Sequence, residues 1–220
     1  GLAQAAKAGY FKVDVVAYPD LVSNLQNPML KGPLMSRDYA DHFRIGGVKL
    51  TFDGSPQGKT AWFTHPYFQP PEHEDANYSG HPLFADEAEA RRIMKQAYDH
   101  DWQVLVHANG DAAIDQLIRL TDAVQQDIPD TRDPRTVLIH GQYLRADQIP
   151  ELVRLGIFPS LYPMHTFYWG DWHSSSVAGP ELAKFISPTG TLYRAGIKFS
   201  IHSDAPVTFP NAMRILHSAT

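Results

Sequence analysis

The 220-residue sequence contains no cysteine. Disulfide bonds and every reaction that needs a thiolate are therefore excluded. A metal site in this chain has to be built from histidine, aspartate, glutamate or a modified lysine, because thiolate ligands are missing. The chain has 11 histidines, so nitrogen ligands for such a site are available.

The sequence also lacks long apolar runs, signal-peptide patterns and basic clusters. No apolar run approaches the roughly 20 residues that cross a bilayer, and the first residues show no charged segment followed by an apolar one. The formal net charge is −5, and no dense run of lysine and arginine offers a local footprint for nucleic acid. We therefore expect a cytoplasmic protein that binds neither nucleic acid nor membranes.

The composition favours a single domain, residues 1–220, in which strands and helices alternate. Hydrophobic residues make up 43% of the chain, enough to bury a full core. Apolar runs rich in β-branched and aromatic residues predict strands at residues 11–18, 46–52, 104–106, 137–139, 157–161 and 197–202. Helical spacing and capping signals predict helices at residues 1–9, 86–100, 111–125, 147–155, 188–195 and 211–219. Residues 54–83 form a proline-rich loop of the kind that covers active sites, and residues 129–134 form a turn-rich break.

This alternation indicates βαβ units and a parallel sheet. A closed eight-stranded (β/α) barrel takes about 250 residues. Six strands in a chain of this length favour a partial TIM-like (β/α) barrel with about six of its eight βα units. An open doubly wound sheet is the alternative, but no glycine-rich phosphate loop follows a strand, and reactive residues end several strands rather than one switch point.

Four side chains that could carry chemistry lie on or just after different predicted strands. Lys49 lies within an apolar strand, His107 and His140 each follow three apolar residues, and Asp204 follows the last strand. Taken alone, each has an ordinary explanation: a lysine that reaches solvent, a hydrogen-bonded core histidine, or a turn-forming aspartate. Together they mark the carboxyl ends of parallel strands, which is the rim where barrel enzymes assemble their active sites.

Histidine nitrogens and an aspartate oxygen suit a divalent ion, most of all zinc. A catalytic ion lowers the pKa of its bound water towards about 7, and a carboxylate such as Asp204 can then accept the proton as hydroxide attacks a carbonyl carbon. We therefore predict a divalent metal cofactor, with zinc as the expected ion, and Asp204 as the catalytic base.

Four segments carry a family resemblance: G-V-K-L-T-F-D-G at residues 47–54, V-H-A-N-G-D-A-A-I-D at 106–115, I-H-G-Q with L-R-A-D-Q-I-P within 139–150, and H-S-D-A-P-V at 202–207. They resemble the metal-dependent amidohydrolase superfamily, and within it the amidohydrolase 3 group with its N-substituted formamide deformylase-like enzymes. The resemblance implies that Lys49 is a metal-bridging, carbamylated lysine, that His107 and His140 are metal ligands, and that Asp204 is both ligand and general base. It also implies a small-molecule substrate with an amide or N-formyl-like C–N bond.

The sequence departs from that family in two ways. The H-x-H pair of the first strand is absent, since no such motif occurs among the 220 residues, and so is the flanking β-sandwich domain. The resemblance therefore implies the central part of a longer enzyme, incomplete at both ends. We expect the 220-residue chain to bind metal weakly and to have little activity. One tightly held zinc per purified chain, measured by mass spectrometry, would contradict this expectation.

Two other functions fit the same sequence. Deamination or ester hydrolysis uses the same metal and base, because specificity resides in loops. A regulatory protein that kept the barrel while losing metal binding is the alternative from a different class. Under each function, a barrel short of two units exposes strand edges, so we expect a homo-oligomer.

Three further residues are candidates for substrate contact: His165, Trp172 and His202. His202 lies two residues before Asp204 and faces the same way on a strand, and we expect it to support the site rather than to bind metal. His165 and Trp172 lie in an aromatic loop, residues 165–173, that either forms a substrate pocket or packs on the upper face of the barrel. Asp111 is expected to cap the helix that begins there.

Overall fold

The computed structural model describes residues 1–128 and 135–220, so the predicted break at residues 129–134 lies outside the described residues. The strands are β1 (Val15–Ala17), β2 (Phe43–Ile45), β3 (Gly47–Thr51), β4 (Gln103–Ala108), β5 (Val137–His140), β6 (Phe158–Leu161) and β7 (Ser200–Ile201). The α-helices are α1 (Leu2–Lys7), α2 (Leu21–Asn24), α3 (Glu87–Asp99), α4 (Asp111–Gln125), α5 (Ile149–Arg154), α6 (Met164–Trp172), α7 (Gly179–Leu182), α8 (Thr189–Arg194) and α9 (Ala212–Ser218). A 3₁₀ turn covers Pro28–Lys31, and a π-helical turn covers His173–Val177.

The strands form two parallel sheets. β1 pairs with β2, and the other five form one sheet in the order β3-β4-β5-β6-β7. Spatial order follows chain order, so the larger sheet winds in one direction, as the wall of a (β/α) barrel does, instead of reversing at a switch point. The fold is therefore the predicted α/β class with a parallel sheet, a partial TIM-like barrel.

The core lies between the outer face of the larger sheet and its helices. Along β4 burial alternates, with Val104, Val106 and Ala108 fully buried. These residues form one cluster with the apolar stripe of α3 and α4, including Ile93 and Leu117. The alternate side chains of β4 point to the opposite face, which is the inside of the curved sheet, and they are partly exposed there. Side chains in register with them on the neighbouring strand point the same way. This inner face leads to the carboxyl rim.

The helices that the structure describes are all too short or too polar to cross a membrane. Most predicted helices are present with ends that differ by one or two residues. Asp86 caps α3 as predicted, because its carboxylate accepts a hydrogen bond from the Ala88 amide at 2.9 Å.

The structure departs from the predicted elements at β1, β2, β7 and α6. Of the strand predicted at residues 197–202, only Ser200–Ile201 is formed. β2 is an additional strand that was not predicted, because its three residues, with Arg44 in the centre, are too few to show an alternating pattern. β1 is restricted to Val15–Ala17 because β2 offers only three pairing partners. Residues Met164–Trp172, predicted as a loop, form α6, and their many aromatic residues concealed the helix because aromatic side chains have low helix propensity.

Candidate metal centre

His140, His202 and Asp204 come together beyond the carboxyl ends of β5 and β7. His140 ends β5, whereas His202 and Asp204 follow β7. One ligand atom from each lies within 4.8 Å of the others, and His140 Nδ1 is 3.0 Å from His202 Nε2. Zinc binds histidine nitrogens at about 2.0–2.1 Å, so this spacing is short enough for one ion to reach both nitrogens.

Two members of this cluster have an unusual backbone conformation. The φ angle is +77° at His140 and +55° at Asp204, in the left-handed region that residues other than glycine seldom adopt. Such conformations cost on the order of 1–3 kcal/mol each and persist only where the surrounding structure enforces them. The backbone is therefore strained at the same points where potential ligands converge.

His107 lies beside the cluster. Its ring centre is 4.5 Å from that of His140, and the rings meet edge to face. Its Nε2 atom is directed at the Gly54 carbonyl oxygen, 3.1 Å away, and lies 3.0 Å from Asn109 Nδ2. Lys49 is partly exposed on β3, and its positive charge acts on His107, His140, His202 and Asp204.

Burial keeps the three histidines neutral. It lowers the pKa of His107 and of His202 to about 4 and holds the pKa of His140 well below its ordinary value of 6.5, and the charge of Lys49 acts in the same direction. Burial raises the pKa of Asp204, while Lys49 opposes that rise. Neutral imidazole is the form that binds metal, so the cluster is in its ligating state at neutral pH.

Asp53 ties three segments together below the site. Its fully buried carboxylate accepts hydrogen bonds from the backbone amides of Trp62, Asn109 and Gly110 at 2.8–3.0 Å. Burial raises the pKa of Asp53 to about 7, against the effect of the three amides. Only glycine fits at position 110, because a Cβ atom there would lie 1.9 Å from the Trp62 carbonyl oxygen. The proline-rich loop is thereby fastened to the end of β4.

A cavity of about 160 Å³ opens above the cluster. Strand ends, two loops and α6 contribute its lining, which is polar or aromatic apart from one valine: Ser55, Gln57, His107, Asn109, His140, Gln142, Tyr162, Trp169, Asp204 and Val207. Of the aromatic residues of α6, Trp169 reaches the cavity. Trp172 instead donates a hydrogen bond from Nε1 to the Gln57 carbonyl oxygen at 3.1 Å, which holds the loop against α6.

His165 lies in the core, away from the cavity lining. It is fully buried, with Nδ1 2.8 Å from His173 Nε2 and Nε2 2.7 Å from Ser187 Oγ. The chain of hydrogen bonds continues from His173 Nδ1 to the Tyr143 hydroxyl at 2.7 Å, and the Ser187 hydroxyl donates to the Tyr162 carbonyl oxygen at 3.3 Å. This buried chain, Tyr143–His173–His165–Ser187, links α6 and the π-helical turn to the segments that carry Tyr143 and Ser187.

The prediction that Asp111 caps α4 was wrong. Gly110 occupies the cap position, and the Asp111 carboxylate accepts from the Thr64 amide at 2.9 Å and from Arg145 Nη1 at 2.9 Å. Arg145 also pairs with Asp115 and Asp147. Asp111 therefore joins the loop, α4 and the segment before α5, which a local cap signal does not reveal.

Sequence reasoning missed several residues of the site. Asp53, Gln142 and Tyr162 each stand one or two residues beyond the end of a strand, which is the signal that could have found them. Asn109, which directly follows the end of β4, carries the same signal. His202, interpreted as a supporting residue, lies within the potential ligand cluster.

Comparison with known proteins connects this geometry to one family. The model of the amidohydrolase family named Amidohydro_3 matches residues 2–220. YtcJ of Bacillus subtilis (strain 168), named as an amidohydrolase, is 29% identical over 167 residues, which are 76% of this chain and 29% of that protein. The protein LONG AFTER FAR-RED 3 of Arabidopsis thaliana is 26% identical over 175 residues, 80% of this chain and 29% of that protein. The chain thus spans less than a third of the length of both relatives.

A solved structure shares the fold. An uncharacterised metal-dependent hydrolase of Pyrococcus furiosus superimposes with a TM-score of 0.78 and 24% identity, over 99% of this chain and 42% of that one. Its counterpart from Pyrococcus horikoshii OT3 gives a TM-score of 0.76 at 23% identity. These similarities support the partial-barrel architecture.

Proposed function

The chain belongs to the amidohydrolase family, and from that premise we propose that the whole protein is a metal-dependent hydrolase of C–N bonds in amides or N-formyl compounds. The Pyrococcus proteins that share its fold are named as metal-dependent hydrolases. The single observation that carries the proposal is the convergence of His140, His202 and Asp204 within 4.8 Å at the rim of the barrel.

The donor set fits a divalent ion, and zinc is our choice. His140 and His202 are neutral and offer nitrogens, and Asp204 offers an oxygen. Lys49, as a carbamate, and His107, after its ring turns away from Gly54, are the remaining ligands that we assign to this site. When bound, the ion supplies Lewis acidity, which polarises a carbonyl group and makes water acidic at neutral pH.

Asp204 is the proposed general base. Burial raises the pKa of its carboxyl group, which makes its carboxylate a stronger acceptor of the proton from water. The water oxygen forms a bond to the carbonyl carbon, the C–N bond breaks, and the proton passes from Asp204 to the departing nitrogen. The products are a carboxylic acid and an amine.

An Asp204→Asn variant of the full-length enzyme tests this mechanism. We expect zinc-dependent release of amine from N-formyl amines by the wild type, and a fall in kcat of about 10²–10⁴-fold in the variant, the usual contribution of a positioned base. Metal content is measured beside activity because Asp204 is also a ligand. The matched control is Asp171→Asn, an exposed aspartate on α6.

Two results would overturn the proposal. Turnover that survives complete removal of metal would exclude a metal-dependent reaction. Wild-type protein that holds no metal and hydrolyses none of the substrates would favour a regulatory role for the barrel.

A further inference from the structure

Another cavity, of about 440 Å³, lies at the amino ends of the strands of the larger sheet. Three lining residues lead into adjacent parallel strands: Gly46 directly precedes β3, Trp102 directly precedes β4, and Arg135 comes shortly before β5. The candidate metal centre lies beyond the carboxyl ends of β5 and β7, at the opposite end of the same sheet. The cavity is therefore separate from that centre, and its volume is within the roughly 300–1,000 Å³ of small-molecule sites.

Positive charge is concentrated in the lining of this cavity, although the chain as a whole has a formal net charge of −5. One carboxylate, that of Asp101, belongs to the described lining. Cationic side chains come from the segment after α2, from β2 and from the residues before β5: Lys31, Arg37, Arg44 and Arg135. Such a surface attracts anions and repels cations.

Three of these cations are not neutralised by a neighbouring side chain. Within the described part of the chain, no carboxylate oxygen lies within 4.0 Å of the charged nitrogens of Lys31, Arg37 or Arg44. Six other basic residues do have such a partner: Arg91, Lys95, Arg119, Arg145, Arg154 and Lys184. The unbalanced charge of the cavity is left for a ligand or for ions from solution.

Arg44 is held in a fixed orientation at this cavity. It is the half-buried central residue of β2; its Nη1 atom donates to the Ser36 carbonyl oxygen at 3.1 Å, and its guanidinium carbon lies 5.1 Å from the centre of the Tyr39 ring. Burial raises the pKa of Tyr18, and the charges of Arg44 and Arg135 both oppose that rise, so the two guanidinium groups act on the same region. Like charges held in this way repel each other, and a bound anion offsets that repulsion.

We propose that this cavity binds a small polyanion, a compound with two or more phosphate or carboxylate groups, through Lys31, Arg37 and Arg44. Guanidinium groups form charge-assisted hydrogen bonds with the oxygens of phosphate and of carboxylate, and lysine adds a point charge. The site does not depend on the proposed hydrolase function, because it shares no residue with the metal centre. A ligand here joins residues 31–37 to β2 and stabilises the folded state.

Calorimetric titration of the full-length protein with pyrophosphate and with citrate, at about 0.15 M salt, tests the inference. The variants are Arg44→Met and the double variant Lys31→Gln/Arg37→Gln, whose two side chains are exposed. Lys12→Gln/Arg92→Gln is the matched control, since it removes the same two charges at exposed positions outside the cavity lining. The thermal midpoint and metal content are measured for every variant, because Arg44 is half-buried and both probes chelate metal.

We expect one anion per chain, with the affinity lowered about tenfold in Arg44→Met and in Lys31→Gln/Arg37→Gln and less than about threefold in the control. Tighter binding of pyrophosphate identifies a phosphorylated ligand, and tighter binding of citrate identifies a polycarboxylate.

Three results would overturn the inference. The first is wild-type protein that binds neither anion at millimolar concentration. The second is an affinity that is unchanged in both cavity variants, as expected if the anions bind only to the metal. The third is an equal loss of affinity in the control, which would reflect the net charge of the protein alone.

Discussion

Asp53 is the residue on which the geometry of the rim depends most directly. Its carboxylate holds three backbone amides from two segments, and its Oδ1 atom lies 3.5 Å from His107 Nε2. No other side chain of similar size offers two oxygens to three amides at once. The position of the loop over the cavity therefore rests on one buried carboxylate.

Replacing Asp53 with alanine should destabilise the protein by about 3 kcal/mol, because the amides of Trp62, Asn109 and Gly110 would lose their acceptor in a buried place. Urea unfolding followed by fluorescence measures the change. Asp53→Asn, which keeps one of the two oxygens, should lose less. An alanine variant as stable as the wild type would show that the carboxylate is dispensable.

At the scale of the residue, the sequence predicts which side chains approach the rim but not how they are oriented. Lys49, His140 and Asp204 could be placed there because carboxyl ends of parallel strands meet at one edge of a sheet. The direction of His107 towards Gly54 and the orientation of the Asn109 amide, whose Nδ2 donates to the Gly54 carbonyl oxygen, depend on contacts with residues more than 50 positions away. The sequence pattern around each residue contains no information about such distant contacts.

At the scale of the element, α6 and the π-helical turn after it each contain a fully buried histidine, His165 and His173. Burial lowers the pKa of His173 to about 4, compared with 6.5 in the unfolded chain. Between these values the unfolded state binds more protons than the folded state. The stability that neutral His173 contributes is therefore complete above pH 6.5 and is lost as the pH falls towards 4.

We expect the free energy of unfolding to fall by about 2 kcal/mol more between pH 7.5 and pH 5 in the wild type than in a His173→Gln variant, since glutamine does not titrate. Urea titrations at the two pH values give both numbers. Tyr193→Phe, at an exposed site on α8, serves as the control. If the variant and the wild type lose stability equally, His173 is not a source of the pH dependence.

Helices and strands could be predicted from the sequence where an apolar pattern repeats over many residues. α3 and α4 have clear apolar stripes over 13 and 15 residues, and their predicted positions hold in the structure. β2 and α6 could not be predicted in this way: β2 has three residues, and α6 is interrupted at Trp169, where φ is −132°. The pairing of β1 with β2 comes from tertiary contacts.

At the scale of the whole molecule, apolar surface and an open sheet edge remain exposed. β7 pairs with β6 alone among the described strands, through two residues. The side chains of Phe209 and Met213, which follow β7, are 82% and 72% exposed. Open edges and neighbouring apolar side chains promote association between copies of a chain.

We therefore expect the 220-residue chain to self-associate, with a light-scattering mass above the monomer value of 24.6 kDa that rises with concentration. The double variant Phe209→Asp/Met213→Asp should return the mass towards the monomer because charge opposes apolar contact. Tyr10→Asp, an exposed residue that precedes β1, is the control. A monomer at every concentration would contradict the expectation.

The buried chain from Tyr143 to Ser187 has a direction. Ser187 donates its only hydroxyl hydrogen to the Tyr162 carbonyl oxygen, so its hydroxyl oxygen must accept a hydrogen bond from His165 Nε2. His165 Nδ1 is then an acceptor for His173 Nε2, and His173 Nδ1 accepts from the Tyr143 hydroxyl. Both imidazoles are thus fixed as the same Nε2–H tautomer, and neither can change without the other. The strand end that carries Tyr162 is linked in this way to the Tyr143 hydroxyl group through four successive hydrogen bonds.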